Sequence, residues 1–372
     1  MRAGCNSAAS QTQERSPFET VRVCHVGPHL PRKGGVSIQT HLTEDGLRRD
    51  GAEVISIDTI LHKLSHPLLL PLRMLLQPIA TALAFLKVGR KCDVVHLQAC
   101  SWWGFLPVVI CAPINKLLFK KRLIITFHGA RGHLFLDRYH LAAMPFLRLA
   151  DEVVVVSPEL QGAFKKYGID ARVVGIIINL DAFRFRERPQ VRPNIVWMRH
   201  LEEMYDPLTA LRVFAEVKKQ IPEATITFIG GGSLRSQMDQ LIEEGALTDV
   251  FFTGPLSHQQ MAEEFDKADI FLNTSKNDAK PAALLEASAA GLPIVTTAAG
   301  GIPDMVEDGT NAVIAPVGDV DALATEVVAV LRDPQRACRL GNAARENAEA
   351  YRWSNYSREL AKLYQVQDKH DL

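Results

Sequence analysis

A charge imbalance, a metal-ligand cysteine pattern and a dinucleotide fingerprint are all missing from this chain of 372 residues, and each absence narrows its chemistry. Lys plus Arg and Asp plus Glu both number 42, so no global field draws the protein to nucleic acid or to an anionic bilayer, and any anion must be held locally. The six cysteines, Cys5, Cys24, Cys92, Cys100, Cys111 and Cys338, form no Cys-x-x-Cys pair and sit in no histidine pattern of metal-binding spacing. Neither a zinc site nor a redox motif is indicated, and a reducing cytoplasm is the expected compartment. Residues 1–16 lack the apolar core of a signal peptide and read as a disordered lead-in. No Gly-x-Gly-x-x-Gly follows a strand, which lowers the standing of a nicotinamide-dependent dehydrogenase.

What is present is an alternation of short β-branched runs with helical stretches. Hydrophobic residues make up 47% and charged residues 23%, an ordinary globular balance, and the length exceeds what one core of roughly 250 to 300 residues supports. Strands are expected at 21–26, 54–57, 94–96, 123–127, 153–156 and 171–178, the rhythm of a parallel sheet with crossover helices. A polar, proline-flanked stretch from Phe185 to Pro193 then reads as a linker. The rhythm restarts with strands at 195–198, 225–229, 250–252, 270–273 and 294–297, and Leu208, Leu211, Phe214 and Ala215 carry helical spacing. The fold class is therefore α/β, with two facing Rossmann-like domains, 17–188 and 189–352, around an interdomain cleft. A last helix, 353–372, is expected to pack back on the first domain.

Ligands of such sheets bind beyond the carboxyl ends of the strands, so the loops that follow strands are the places to look. After the first strand, Gly34 and Gly35 precede a helix, with Arg32 and Lys33 adding charge, a turn that is either structural or an anion cradle. Gly230, Gly231 and Gly232 offer a second cradle or a flexible loop, and His128 with Gly129 ends a strand. The most informative segment runs from Asn273 to Thr297. Pro281 suits the first position of a helix that Gly291 and Pro293 close, which leaves the N–H groups of Ala282, Ala283 and Leu284 to face an anion. Asp278 and Glu286 flank that terminus and could bond to sugar hydroxyls, or be a cap and a surface residue.

The spacing of Asp278 and Glu286, the second followed by Ala and then a Gly-x-Pro turn, resembles glycosyltransferase family 4. So do Gly34-Gly35, Asp93 to His96, His128-Gly129, Ala150 to Ser157, Asn179 with Asp181 and Phe183, Gly230 to Gly232, Gly300 to Pro303, and Trp353-Ser354. The resemblance implies a GT-B fold and a metal-independent, retaining transfer of a sugar from a nucleotide-sugar donor, with no bound cofactor. It implies that Glu286 grips the donor ribose, that Asp278 lies at the transferred sugar and that Arg199 neutralises the diphosphate. His128 would lie over the reacting sugar and Gly35 behind the phosphate, with Lys280 beside the donor. Two departures stand out. Asp278 is one methylene shorter than the family's usual Glu, and Met204 replaces the lysine usually found five residues after the arginine. Lys276 or Lys280 would compensate, and Arg199, Tyr205-Asp206-Pro207 and Asp278 together resemble a variant subgroup.

The alternatives are a catalytically inactive nucleotide-sugar-binding scaffold, suggested by Met204, and a sugar-nucleotide epimerase of the same fold. The acceptor, a glycan or a lipid-linked molecule, would meet the loops at 61–86 and 102–105. Those loops are apolar, and a basic cluster at 116–122 follows them, so the inner face of the membrane is a possible peripheral contact. Prolines and polar residues interrupt 67–88, which argues for a surface helix there rather than a spanning one.

Overall fold

The computed structural model describes residues 16–30, 35–60, 70–129 and 132–365. Gly34, Arg32, Lys33, nearly all of 1–16 and the last seven positions of 353–372 lie outside the described residues.

The first half runs β1 (Arg22–Gly27), α1 (Gly35–Arg49), β2 (Glu53–Asp58), α2 (Leu70–Val88), β3 (Val94–Ala99), α3 (Leu106–Ile114), β4 (Arg122–Phe127), α4 (Gly132–Leu147), β5 (Glu152–Val155), α5 (Pro158–Lys165) and β6 (Arg172–Val173). The second half runs β7 (Asn194–Met198), α6 (Pro207–Gln220), β8 (Thr225–Ile229), α7 (Arg235–Glu244), β9 (Val250–Gly254), α8 (His258–Lys267), β10 (Ile270–Leu272), α9 (Ala282–Ala289), β11 (Ile294–Thr297), β12 (Val313–Ala315), α10 (Val320–Arg332), α11 (Pro334–Glu349) and α12 (Trp353–Tyr364). Two six-stranded sheets result, ordered β2-β1-β3-β4-β5-β6 and β12-β11-β10-β7-β8-β9. Every pairing between these strands is parallel. All six residues of β3 are buried, as a strand covered on both faces by helices requires.

Both sheets reverse their order of winding once, between β1 and β3 in the first and between β7 and β10 in the second. Crevices open beyond the carboxyl ends of strands at such points. That puts the residues after β1 and β3 on one side of the site, and the residues after β7 and β10, including Arg199 and Asp278, on the other.

Two strands differ from the sequence expectation. The run 171–178 pairs only at Arg172 and Val173, after which the chain continues extended without a ladder. Strand β12 was not anticipated, because its three residues lie between turn-forming segments and are too few to display a period.

The stretch from Phe185 to Pro193 is less free than its polarity suggests. Arg188 is buried and donates to the carbonyls of Arg186, Ala290 and Gly291 at 2.7–2.8 Å. Asp269, fully buried, pairs with Arg186 at 2.7 Å, Arg192 at 2.7 Å and Arg188 at 3.4 Å. Burial holds the Arg188 guanidinium down at about 10, still charged at neutral pH.

Helix α12 leaves the second half and lies on the first sheet's domain. Leu360, Leu363 and Tyr364 are buried with Val23, Val94 and Ile124, and Trp353 Nε1 donates to Asp50 Oδ2 at 2.8 Å. Only a glycine at position 46 admits that indole, since a Cβ there would lie 2.3 Å from Trp353.

The helical run Trp102–Phe119 is long and apolar enough to cross a membrane by length and composition. However, its Phe105, Val108, Cys111 and Ala112 are packed into the first core.

Candidate active site

The second sheet supplies a carboxylate on a helix. The seven residues from Ala283 to Ala289 of α9 are all buried, and Glu286 is among them with its side chain 6% exposed. An unpaired carboxylate would not stay ionised there. Its partner is His258 at the start of α8, whose Nε2 lies 3.1 Å from Glu286 Oε1. The bond to Glu286 raises the imidazole's pKa against the opposing effect of burial. His258 was not singled out by sequence, since it lies 28 residues from Glu286 and no local spacing links them.

Pro281 is the cap of α9 and not its first residue, with extended backbone at φ −69°, ψ 110°. The shift arises because the ring's fixed φ suits either position. One consequence is that Leu284 N–H donates to the Pro281 carbonyl at 3.2 Å, so it is not free for an anion. Ala282 and Ala283 keep the first-turn positions whose N–H groups have no partner one turn back.

At the carboxyl end of β7, Arg199 pairs through Nη2 with Asp278 Oδ2. Its guanidinium carbon lies 4.5 Å from the centre of the Tyr205 ring, and its Nε has no hydrogen-bond partner among the described residues. Burial lowers the guanidinium's pKa, while Tyr205 and Glu286 oppose the shift. Asp278 is buried beside it, and its carbonyl accepts from Gly301 N–H at 2.8 Å.

The lysines named as substitutes for Met204 have other neighbours. Lys276 pairs with Asp206 at 3.3 Å, and Lys280 Nζ sits 5.0 Å from the centre of the Tyr351 ring, where burial lowers its pKa. Met204 holds this loop through its backbone, its carbonyl accepting from Lys276 N–H at 2.9 Å. Gly230 is not an open cradle either. Its N–H donates to Gly254 O at 3.0 Å, and at φ +134° it lets the Arg199 carbonyl approach to where a Cβ would stand, while Gly231 O accepts from Leu201. These glycines shape the turn that carries Arg199.

On the first sheet, a Cβ on Gly35 would meet nothing within 4 Å. Gly35 lines a cavity of about 550 Å³ together with Gln98, Trp103, Met74, Gln77 and Pro107. His128, at the carboxyl end of β4, is drawn down to about 4, chiefly by burial, so its ring is neutral at physiological pH. His128 Nε2 lies 2.5 Å from Gln98 Oε1. Among the described residues no group of His, Cys, Asp and Glu could hold a metal ion.

Two Rossmann-like sheets, with Gly35 and His128 beyond the carboxyl ends of one and an arginine with a buried carboxylate helix beyond those of the other, have the arrangement of a glycosyltransferase of the GT-B class. The chain belongs to the family 4 glycosyltransferases: the family "Glycosyltransferase Family 4" matches residues 21–181 and "Glycosyl transferases group 1" matches 181–347. It is similar to the GDP-mannose-dependent alpha-(1-6)-phosphatidylinositol monomannoside mannosyltransferase of Mycolicibacterium smegmatis, 25% identical over 286 residues that cover 70% of this chain and 75% of that one. Among solved structures it resembles sucrose-phosphate synthase of Thermosynechococcus elongatus, with a TM-score of 0.72 at 18% identity over 93% of this chain and 98% of that one. It also resembles Anabaena HepE, in complex with UDP, with a TM-score of 0.73 at 15% identity over 93% and 100%. The protein is an enzyme that transfers hexosyl groups from a nucleotide sugar.

Proposed function

We propose that the donor's nucleoside lies against Glu286, its diphosphate between Arg199 and the first turn of α9, and its sugar between Asp278 and His128. The observation that carries this reading is the buried Glu286–His258 pair one turn inside α9, close to the Arg199–Asp278 pair. A ribose presents adjacent hydroxyls that a fixed carboxylate accepts from, and a diphosphate competes with Asp278 for Arg199. As the bond from the sugar's anomeric carbon to the diphosphate oxygen breaks, charge grows on that oxygen, where Arg199 and the helix N-terminus lower its energy. The acceptor oxygen bonds to the anomeric carbon on the same face, and its proton passes to the departing diphosphate. Anomeric configuration is then retained, and no metal is required.

The acceptor enters from the first domain, in the cavity bounded by Trp103, Met74 and Pro78. Around it the protein is apolar: Leu75, Ile79 and Leu83 of α2 are 66%, 52% and 54% exposed, and Leu117 is 75% exposed beside Lys116 and Lys120. The edge contact of Phe85 with Phe119 joins the two segments into one face. This composition fits a lipid-linked acceptor met at an anionic membrane surface on the cytoplasmic side. The related mannosyltransferase, by its name, acts on a phosphatidylinositol mannoside.

A thermal-shift screen of UDP, GDP and ADP sugars, with and without magnesium, tests the donor site. One nucleotide sugar is expected to stabilise the natural protein, independently of magnesium, and to lose its effect on Glu286→Ala. Equal stabilisation of both proteins would remove Glu286 from the donor site.

A further inference from the structure

The polar side chains behind His128 form one connected hydrogen-bond network whose proton positions can be worked out from one end. Glu44, on α1, is buried; the bonds it accepts from His25 and His29 outweigh the effect of burial and hold it well below the usual carboxylate range. It is therefore only an acceptor. His25 Nδ1, 3.1 Å from Glu44 Oε1, must donate. Gln98 Nε2, which can only donate, lies 2.7 Å from His25 Nε2, so that nitrogen accepts and the ring keeps its proton on Nδ1.

The second hydrogen of that amide faces His96 Nε2 at 3.4 Å. His96 is fully buried and held neutral. Thr126 Oγ1 lies 2.7 Å from the same nitrogen and donates to it, so His96 keeps its proton on Nδ1 for the Tyr364 hydroxyl at 2.8 Å. The amide nitrogen of Gln98 thus lies between two imidazole lone pairs, and its oxygen is left facing His128.

We propose that Gln98 is a positioning residue that fixes the tautomer of His128, with the proton on Nε2 and a bare lone pair on Nδ1, and that His25, Glu44 and His96 orient Gln98 in turn. The consequence rests on the reading that His128 faces the transferred sugar. His128 then receives a hydrogen bond from a sugar hydroxyl at Nδ1 and does not donate one, so it selects for a hydroxyl and acts as an acceptor only.

The test is the ¹⁵N spectrum of the ring nitrogens in the full-length protein labelled at histidine, with His128 assigned by its loss in His128→Ala. The natural protein is expected to show a protonated Nε2 and a bare Nδ1. In Gln98→Met, which cannot accept, the two shifts should move toward each other as the tautomers mix. In Gln98→Glu, which still accepts from Nε2–H, they should stay apart. With the nucleotide sugar selected by thermal shift, kcat/KM should fall by roughly tenfold or more in Gln98→Met and be largely restored in Gln98→Glu. A natural His128 protonated at Nδ1, or a Gln98→Met spectrum identical to that of the natural protein, overturns the proposal. Full transfer activity in His128→Ala refutes the site reading on which the consequence rests, whatever the ring spectra show.

Discussion

Glu286 and His258 answer each other's burial, and their pairing makes a pH dependence that can be measured. Because the folded His258 pKa lies above its unfolded value, the stability the charged pair adds is fully present below the unfolded value near 6.5 and is lost as pH rises through the raised one. The melting-temperature gap between the natural protein and His258→Gln is therefore expected to be widest below about pH 6 and to close in alkaline buffer. A gap that does not change with pH would mean that the pair is not charged. The spacing of Asp278 and Glu286 was legible in the sequence because a short loop and the helix it leads into carry it, with Pro281 and Gly291 as the helix's punctuation. His258 was not, since its approach to Glu286 depends on how α8 is placed. The same holds for Gln98 and the histidines around it, which come from β1, β3 and β4 and meet only once the sheet has formed.

Among the elements, the connection between the two sheets departs most from its appearance. Its arginines read as a solvated linker, yet they converge on Asp269 from three directions. Removing the carboxylate in Asp269→Ala leaves Arg188 buried and uncompensated, for which a loss of about 3–5 kcal/mol is expected in denaturant unfolding. Helix α2 presents the opposite case, with an apolar surface that none of the described residues covers. Replacing Leu75 and Leu83 together by Glu is expected to reduce sedimentation with anionic vesicles about tenfold or more, with little change in melting temperature. Salt should weaken the natural protein's sedimentation in the same assay. Unchanged sedimentation of the double variant would place the membrane contact elsewhere. The helices and most strands were legible because each carries several turns or alternations. Strand β12 and the shortened β6 were not, because their ends are set by pairing and not by composition.

For the molecule as a whole, two sheets wound in the same sense place the cavity beside Gly35 and Trp103 on one side and the Arg199 loop on the other, and α12 crosses from the second half to the first. Gly46→Ala tests that crossing. The added methyl group would press on the Trp353 indole, and overpacking of this kind is expected to cost about 1–3 kcal/mol, read as a lower melting temperature. No change would mean that the helix shifts without cost. The alternation of strands and helices was enough to anticipate two parallel sheets, whereas the closeness of Trp353 to Gly46 could not be read from residues so far apart in the chain.

The position of α12 also bears on how the protein is made. The first sheet is complete in sequence at Val173, but Leu360 and Leu363, which pack into its apolar cluster, and Tyr364, which bonds to His96, come only after the whole second sheet. At about 5–20 residues per second, the ribosome reaches them on the order of ten to forty seconds after β6. During that interval the first half must wait with an open apolar seam, which closes only when α12 has been made. A nascent chain cut short before α12 therefore lacks the tyrosine that holds the His96 ring, and α12 has to be made before the histidine network can take its final form.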